Sequence, residues 1–103
     1  MNTSITIIPV AKATIQPEDS ELLVLDYALR LIPGPEGEAL YGLRVDKRSS
    51  DGVLLEREET PILTGSLEEA KALAETFAAG TVPPCVLLEM VAEYYEPAAT
   101  VPI

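Results

Sequence analysis

The stretch "ELLVLDYALRLI", residues 21–32, reads as a helix or as a strand, and the choice decides the fold. Its odd positions Leu23, Leu25, Tyr27, Leu29 and Leu31 are all apolar, while its even positions include Asp26 and Arg30. Leucine is a good helix former, and Asp26 and Arg30 stand four apart, a spacing that suits a helical ion pair. Alternation over this length instead puts one face on a core and the other towards water. Turn-forming residues flank both ends. The stretch is therefore read as a strand.

Working outward, "PGPEGE" at 33–38 holds two prolines and two glycines and can only turn the chain. "ALYGLRVDKR" at 39–48 alternates again, with Tyr41, Leu43 and Val45 on one side and Leu40, Gly42, Arg44 and Asp46 on the other. "SSDG" at 49–52 ends in Asp-Gly, a strong hairpin signal, and the chain returns through "VLLEREE" at 53–59. Residues 21–59 are thus expected to form an antiparallel meander. Upstream, within the N-terminal region 1–20, "ITIIPVA" at 5–11 is rich in β-branched residues. Pro9 removes a ladder donor, so this strand is expected at an edge or broken there.

The second half changes period. Ser66-Leu67-Glu68-Glu69 has the form of a capping box, and Ala70, Leu73, Ala74 and Phe77 recur at helical spacing up to Gly80, read as a left-handed stop. A helix is predicted over 66–79. A second is predicted over 84–96, opened by Pro84 and closed by Pro97, with residues 97–103 as a tail. Glu89, Glu93 and Glu96 form one acidic stripe on it, and nearly all the rest is apolar. That apolar arc is wider than packing on one side of a small core requires. The expected architecture is α+β: a small antiparallel sheet of three to four strands packed against two C-terminal helices.

The composition excludes several kinds of function. The chain of 103 residues carries 17 acidic against 7 basic residues, a net charge of −10, shared equally between residues 1–59 and 60–103. Each phosphate contact of a nucleic-acid complex recruits a Lys or Arg, and here the only run is Arg44, Lys47 and Arg48, interrupted by Asp46. Neither nucleic acid nor an anionic membrane is expected as a partner. A single cysteine allows no internal disulfide, the N-terminus lacks the pattern of a secretory signal, and no apolar run spans a bilayer, so a cytoplasmic location is expected.

The chemical inventory is thin. With no histidine, the commonest general base and the commonest metal ligand are missing, along with any Ser-His or Cys-His pair. There is no glycine-rich phosphate cradle, and the carboxylates of "EREE" at 56–59 and of Glu68-Glu69 lack the spacing of a calcium loop. Cys85, in the first turn of the second predicted helix, has no charged partner nearby and is read as a small buried apolar residue. Tyr27 and Tyr41 are expected to pack together across neighbouring strands. No catalytic residue, cofactor site or metal site is expected.

Three pieces of sequence resemble a family of small bacterial proteins built around a domain of unknown function. They are Leu25-Asp26-Tyr27-Ala28-Leu29, Tyr41-Gly42-Leu43-Arg44-Val45 and Val91-Ala92-Glu93-Tyr94, and the likeness covers about 21–96. Pro83 and Val86 depart from it, where the family pattern carries a Ser or Thr cap and a histidine. The resemblance implies an α+β domain and brings no activity with it. The functional expectation is a non-enzymatic protein-interaction or regulatory module, with Leu87, Met90, Val91, Tyr94 and Tyr95 as the surface for an unknown partner or a second copy. Tyr94 and Tyr95 point to different sides of their helix, so one of them at least is expected near the surface. The alternative is a small-ligand domain with its pocket between sheet and helices.

Overall fold

Hairpin chemistry sets the register of the whole molecule. In the computed structural model, which describes residues 5–95 with the Tyr95 side chain excepted, four strands run antiparallel in the order β1-β2-β3-β4. They are β1 (Thr6–Ile15), β2 (Leu23–Pro33), β3 (Ala39–Ser49) and β4 (Leu54–Glu59). Two of the three connections share one geometry. Gly37 N–H donates to the Gly34 carbonyl (3.1 Å) and Gly34 N–H to the Glu38 carbonyl (2.7 Å), with Gly37 at φ 86°. Gly52 and Ser49 repeat the first bond (3.0 Å) and Ser49 and Val53 the second (2.9 Å), with Gly52 at φ 93°. A left-handed residue closes each turn, which is why both end in glycine.

The 21–32 stretch is a strand, as its alternation predicts. Leu25, Tyr27 and Leu29 are buried on one face of β2, and Tyr41, Leu43 and Val45 on the same face of β3. Tyr27 and Tyr41 do not pair across strands as expected: Tyr27 stands opposite Val45, and Tyr41 opposite Leu31. The first strand is longer than the 5–11 read from sequence, and it is an edge strand with a bulge between Pro9 and Ala11. The missing N–H of Pro9 breaks the ladder there.

Helix α1 (Leu67–Ala79) covers β1 and β2 with Ala70, Leu73, Ala74, Phe77 and Ala78. Ser66 accepts from the Glu69 N–H (3.1 Å), but only half of the predicted capping box forms. The Ser66 N–H goes to the Thr64 hydroxyl (3.0 Å), which in turn donates to the Glu69 carboxylate (2.7 Å). Gly80 is not the left-handed stop: it lies at φ −91°, and Thr81 takes the left-handed position at φ 49°. Val82 N–H to the Phe77 carbonyl and Thr81 N–H to the Ala78 carbonyl, both 3.0 Å, complete a Schellman motif around it.

The second helix begins as a 3₁₀ turn, Pro84–Val86, and continues as α2 (Leu87–Tyr95), so 84–96 is not one regular α-helix. Pro83 caps it without a side-chain bond. Cys85 is exposed rather than buried, because the 3₁₀ turn sends Pro84 into the core instead. The predicted helix end at Glu96 and Pro97 and the tail 97–103 lie outside the described residues. No helix among the described residues is long and apolar enough to cross a membrane.

Candidate functional site

The helices cover one face of the sheet, and the alternation that fills the core sends a second set of side chains to the other face. The β2–β3 register puts Asp26 opposite Asp46, Ala28 opposite Arg44 and Arg30 opposite Gly42. The β3–β4 register adds Arg57 opposite Asp46 and Glu59 opposite Arg44. Lys12, opposite Asp26, arrives from β1. All four arginines of the chain and one of its three lysines therefore share the outer face with Asp26, Asp46 and Glu59. Five cations against three carboxylates make this face positive by two, in a chain of net charge −10.

Asp46 is the hub. It is 5% exposed. Arg57 grips it with two parallel bonds, Nε to Oδ1 (2.7 Å) and Nη2 to Oδ2 (3.0 Å). Arg48 adds Nη2 to Oδ2 (3.2 Å), and Arg44 stands at 3.6 Å. Burial by itself would raise the Asp46 pKa; the hydrogen bond from Arg57 and the charges of Arg57, Arg44 and Arg48 outweigh it and hold the carboxyl below its ordinary range. Around the hub, Asp26 bridges Lys12 (3.2 Å) and Arg48 (3.3 Å), and Glu59 lies 3.8 Å from both Arg30 and Arg44.

Arg44 differs from its neighbours. Its side chain is only 19% exposed, yet its ion contacts are long, 3.6 and 3.8 Å, and it makes no hydrogen bond among the described residues. Arg57 and Arg48 spend donors on Asp46, Arg48 also on the Gly52 carbonyl, and Arg30 on the Thr60 carbonyl. Arg44 thus carries guanidinium donors without a hydrogen-bond partner among the described residues, beside a concavity. That concavity, about 540 Å³, runs over β1–β3 with Ile7, Pro9 and Ala28 as apolar walls and Lys12, Asp26, Arg44, Asp46 and Arg48 as its charged members.

A strap closes the end of this face. From Glu59 to Thr64 the chain takes five steps while its partner strand takes three, from Arg44 to Tyr41. The excess bulges over Gly42, where a Cβ would lie 2.8 Å from the Pro61 carbonyl oxygen. Thr60, 1% exposed, pins the strap: its N–H donates to the Leu43 carbonyl, and its hydroxyl accepts from the Leu43 N–H, both 2.9 Å. The carbonyl of Thr60 accepts from Arg30, which places that arginine.

The surface expected on the second helix fares differently. Leu87 is fully buried and Val91 nearly so, both in the chain's own core, because the 3₁₀ opening rotates them onto the sheet. They are not available to a partner. Met90 is half-buried, Tyr94 is exposed, and the Tyr95 side chain lies outside the described residues. Met90 and Tyr94 line a groove of about 440 Å³ between α1 and α2 with Phe77 and Val82. Leu88, not among the expected residues, is exposed instead. Where a pocket between sheet and helices is expected, Leu25, Leu29, Leu73 and Leu87 are buried among the described residues, and the concavities of about 540 and 440 Å³ lie on the outer face and between α1 and α2.

Sequence reasoning missed the outer site because it grouped charges by sequence run. Arg44, Lys47 and Arg48 are neighbours in the chain, but Lys47 points to the other face and pairs with Glu56 (3.1 Å). Had the two glycine-closed turns been used to set the register, the even positions of each strand would have assembled the cluster. Among the described residues no set of three His, Cys, Asp or Glu is arranged to hold a metal ion.

Comparison with curated proteins and with solved structures gave no match. A family profile does match, described as "Family of unknown function (DUF6514)", over residues 6–96. The match takes in β1, which the motif resemblance left out, and reaches through α2. The sheet with its arginine-bearing outer face thus lies within the matched segment, and the chain belongs to the DUF6514 family of unknown function.

Proposed function

We propose that this chain is a non-enzymatic binding or regulatory module whose recognition surface is the outer face of the sheet. One observation carries the reading: a chain of net charge −10 gathers all its arginines on the sheet face opposite the helices, where Arg44 and Arg48 line a concavity. Assembling them around a buried carboxylate costs desolvation, which a core made only of apolar contacts would avoid. The concavity has the volume of a small-molecule site, with apolar walls on β1 and β2 beside a charged side formed by Lys12, Asp26, Arg44, Asp46 and Arg48. Most guanidinium donors there are already engaged, which argues against wrapping a nucleic-acid backbone. A mixed panel of small molecules observed through labelled backbone amides tests it. Shifts should concentrate at residues 7–12, 26–28 and 44–48; hits confined to the helices would remove the reading.

A second reading places a protein contact on the helical side. It is favoured by the exposure of Leu88 (47%) and Tyr94 (52%) on α2 and by the α1–α2 groove that Tyr94 helps to line. Exposed aromatic and aliphatic residues around a groove are what a partner anchors on. Self-association through this side predicts a dimer in light scattering at high micromolar concentration; a monomer there removes the self-association form.

A further inference from the structure

We infer that the outer concavity takes a small amphipathic monocarboxylic acid, its carboxylate on Arg44 and its apolar body along Ile7, Pro9 and Ala28. This rests on the reading of the outer face as the recognition surface and names the ligand class. The inventory of donors selects it. Arg57 is held at both ends by Asp46, Arg48 spans Asp26 and Asp46, and Arg30 is committed to Thr60 and Glu59. Lys12 is largely exposed and paired with Asp26. Only Arg44 combines low exposure with unspent donors at the concavity.

A guanidinium fork matches one planar carboxylate through two parallel bonds. A polyphosphate needs several free cations and would meet Asp26 and Asp46 in the same concavity. The net charge of plus two on this face is enough to accept one anionic head. The walls then ask for an apolar body: Ile7 and Pro9 of β1 and Ala28 of β2 line the concavity on the outer face, joined at the β1 bulge by Val10 and Ala11. A head group without such a body, like inorganic phosphate, would leave those walls wet.

Three probes on the ¹⁵N-labelled full chain separate the possibilities: octanoate, its neutral analogue octanamide, and inorganic phosphate. Octanoate should shift the amides of residues 7–12, 26–28 and 44–48 saturably. Octanamide and phosphate should each bind at least tenfold more weakly. Arg44→Gln should weaken octanoate at least tenfold while leaving octanamide unchanged, and Arg44→Lys should recover part of the loss. The octanoate–octanamide comparison needs no variant, so it decides even if Arg44→Gln unfolds. Equal binding of octanoate and octanamide, or an Arg44→Gln variant that binds octanoate normally, overturns the carboxylate assignment. Tighter binding of phosphate at the same amides overturns the ligand class while leaving the outer face as the recognition surface. If octanoate shifts only α1 and α2 amides, or none, the carboxylate proposal fails; if the mixed panel also avoids the outer face, the wider reading fails with it.

Discussion

Replacing Gly42 by alanine puts one methyl group under the strap that closes the outer face. The new Cβ would lie 2.8 Å from the Pro61 carbonyl oxygen and 3.1 Å from both the Thr60 carbonyl and hydroxyl oxygens. Two of these three atoms are backbone, so no side-chain rotation relieves the contact. Reaching the 3.4 Å where ordinary contact begins requires roughly 0.6 Å of strap movement. The bonds that pin the strap, from Thr60 N–H to Leu43 and from Leu43 N–H to the Thr60 hydroxyl, are both 2.9 Å, and that movement takes them to the limit of useful length. Overpacking of this kind costs about 1–3 kcal/mol. Relief from having glycine in a strand returns about 0.5–1 kcal/mol. The net expectation is a loss of about 1–2 kcal/mol. Urea unfolding should show a midpoint lowered by about 1 M at unchanged slope. Gly65→Ala is the control, since its Cβ would meet nothing closer than 3.7 Å and should be neutral within about 0.5 kcal/mol. A Gly42→Ala protein as stable as wild type would refute the strap's tight seating.

Other consequences are as direct. Thr81→Gly relieves a β-branched residue at φ 49° and should raise stability by about 0.5–1 kcal/mol, read as a Tm higher by a few degrees; a lower Tm would contradict the strain. Tyr27→Phe removes the buried bond from the Tyr27 hydroxyl to the Val82 carbonyl (2.7 Å) and should cost about 1–2 kcal/mol in urea unfolding. Burial pushes the Tyr27 pKa up to about 12, so it favours the neutral phenol. Its contribution is complete below about pH 10 and is lost as pH rises towards 12. The Phe variant should lack that part of the alkaline loss, which pH-dependent unfolding will show.

Local patterns and global assembly were not equally legible. The alternation of Leu23 to Leu31, the Ser66 cap and the helical recurrence of Ala70 to Phe77 each rest on contacts within a few residues, and the fold class followed from them. The helix ends were harder. Thr81 takes the left-handed position because the Val82 and Thr81 bonds to Phe77 and Ala78 close a Schellman motif, which outweighs its propensity. The outward placement of Cys85 follows from a 3₁₀ rather than an α opening, a difference set by tertiary packing of Pro84 and Leu87. The outer site demanded more still, because Lys12, Asp26, Arg44, Asp46 and Arg57 come from four strands. Their union depends on the register, and a one-residue slip would scatter them to both faces. The excess chain at 60–63, where the Thr60 carbonyl accepts from Arg30, leaves no periodic signal at all.

Asp46 is the buried anion around which Arg44, Arg48 and Arg57 gather on one face. Its carboxyl resonance, followed by NMR through an acid titration, tests this most directly. Its folded pKa is depressed, so its stabilising effect is present above the unfolded value of about 3.9 and is lost as pH falls through the lower folded value. The carboxyl should therefore titrate below pH 3.9, with unfolding following its protonation. A midpoint at or above that value would mean that burial outweighs the three arginines, and the outer face would not be the pre-organised cationic surface described above.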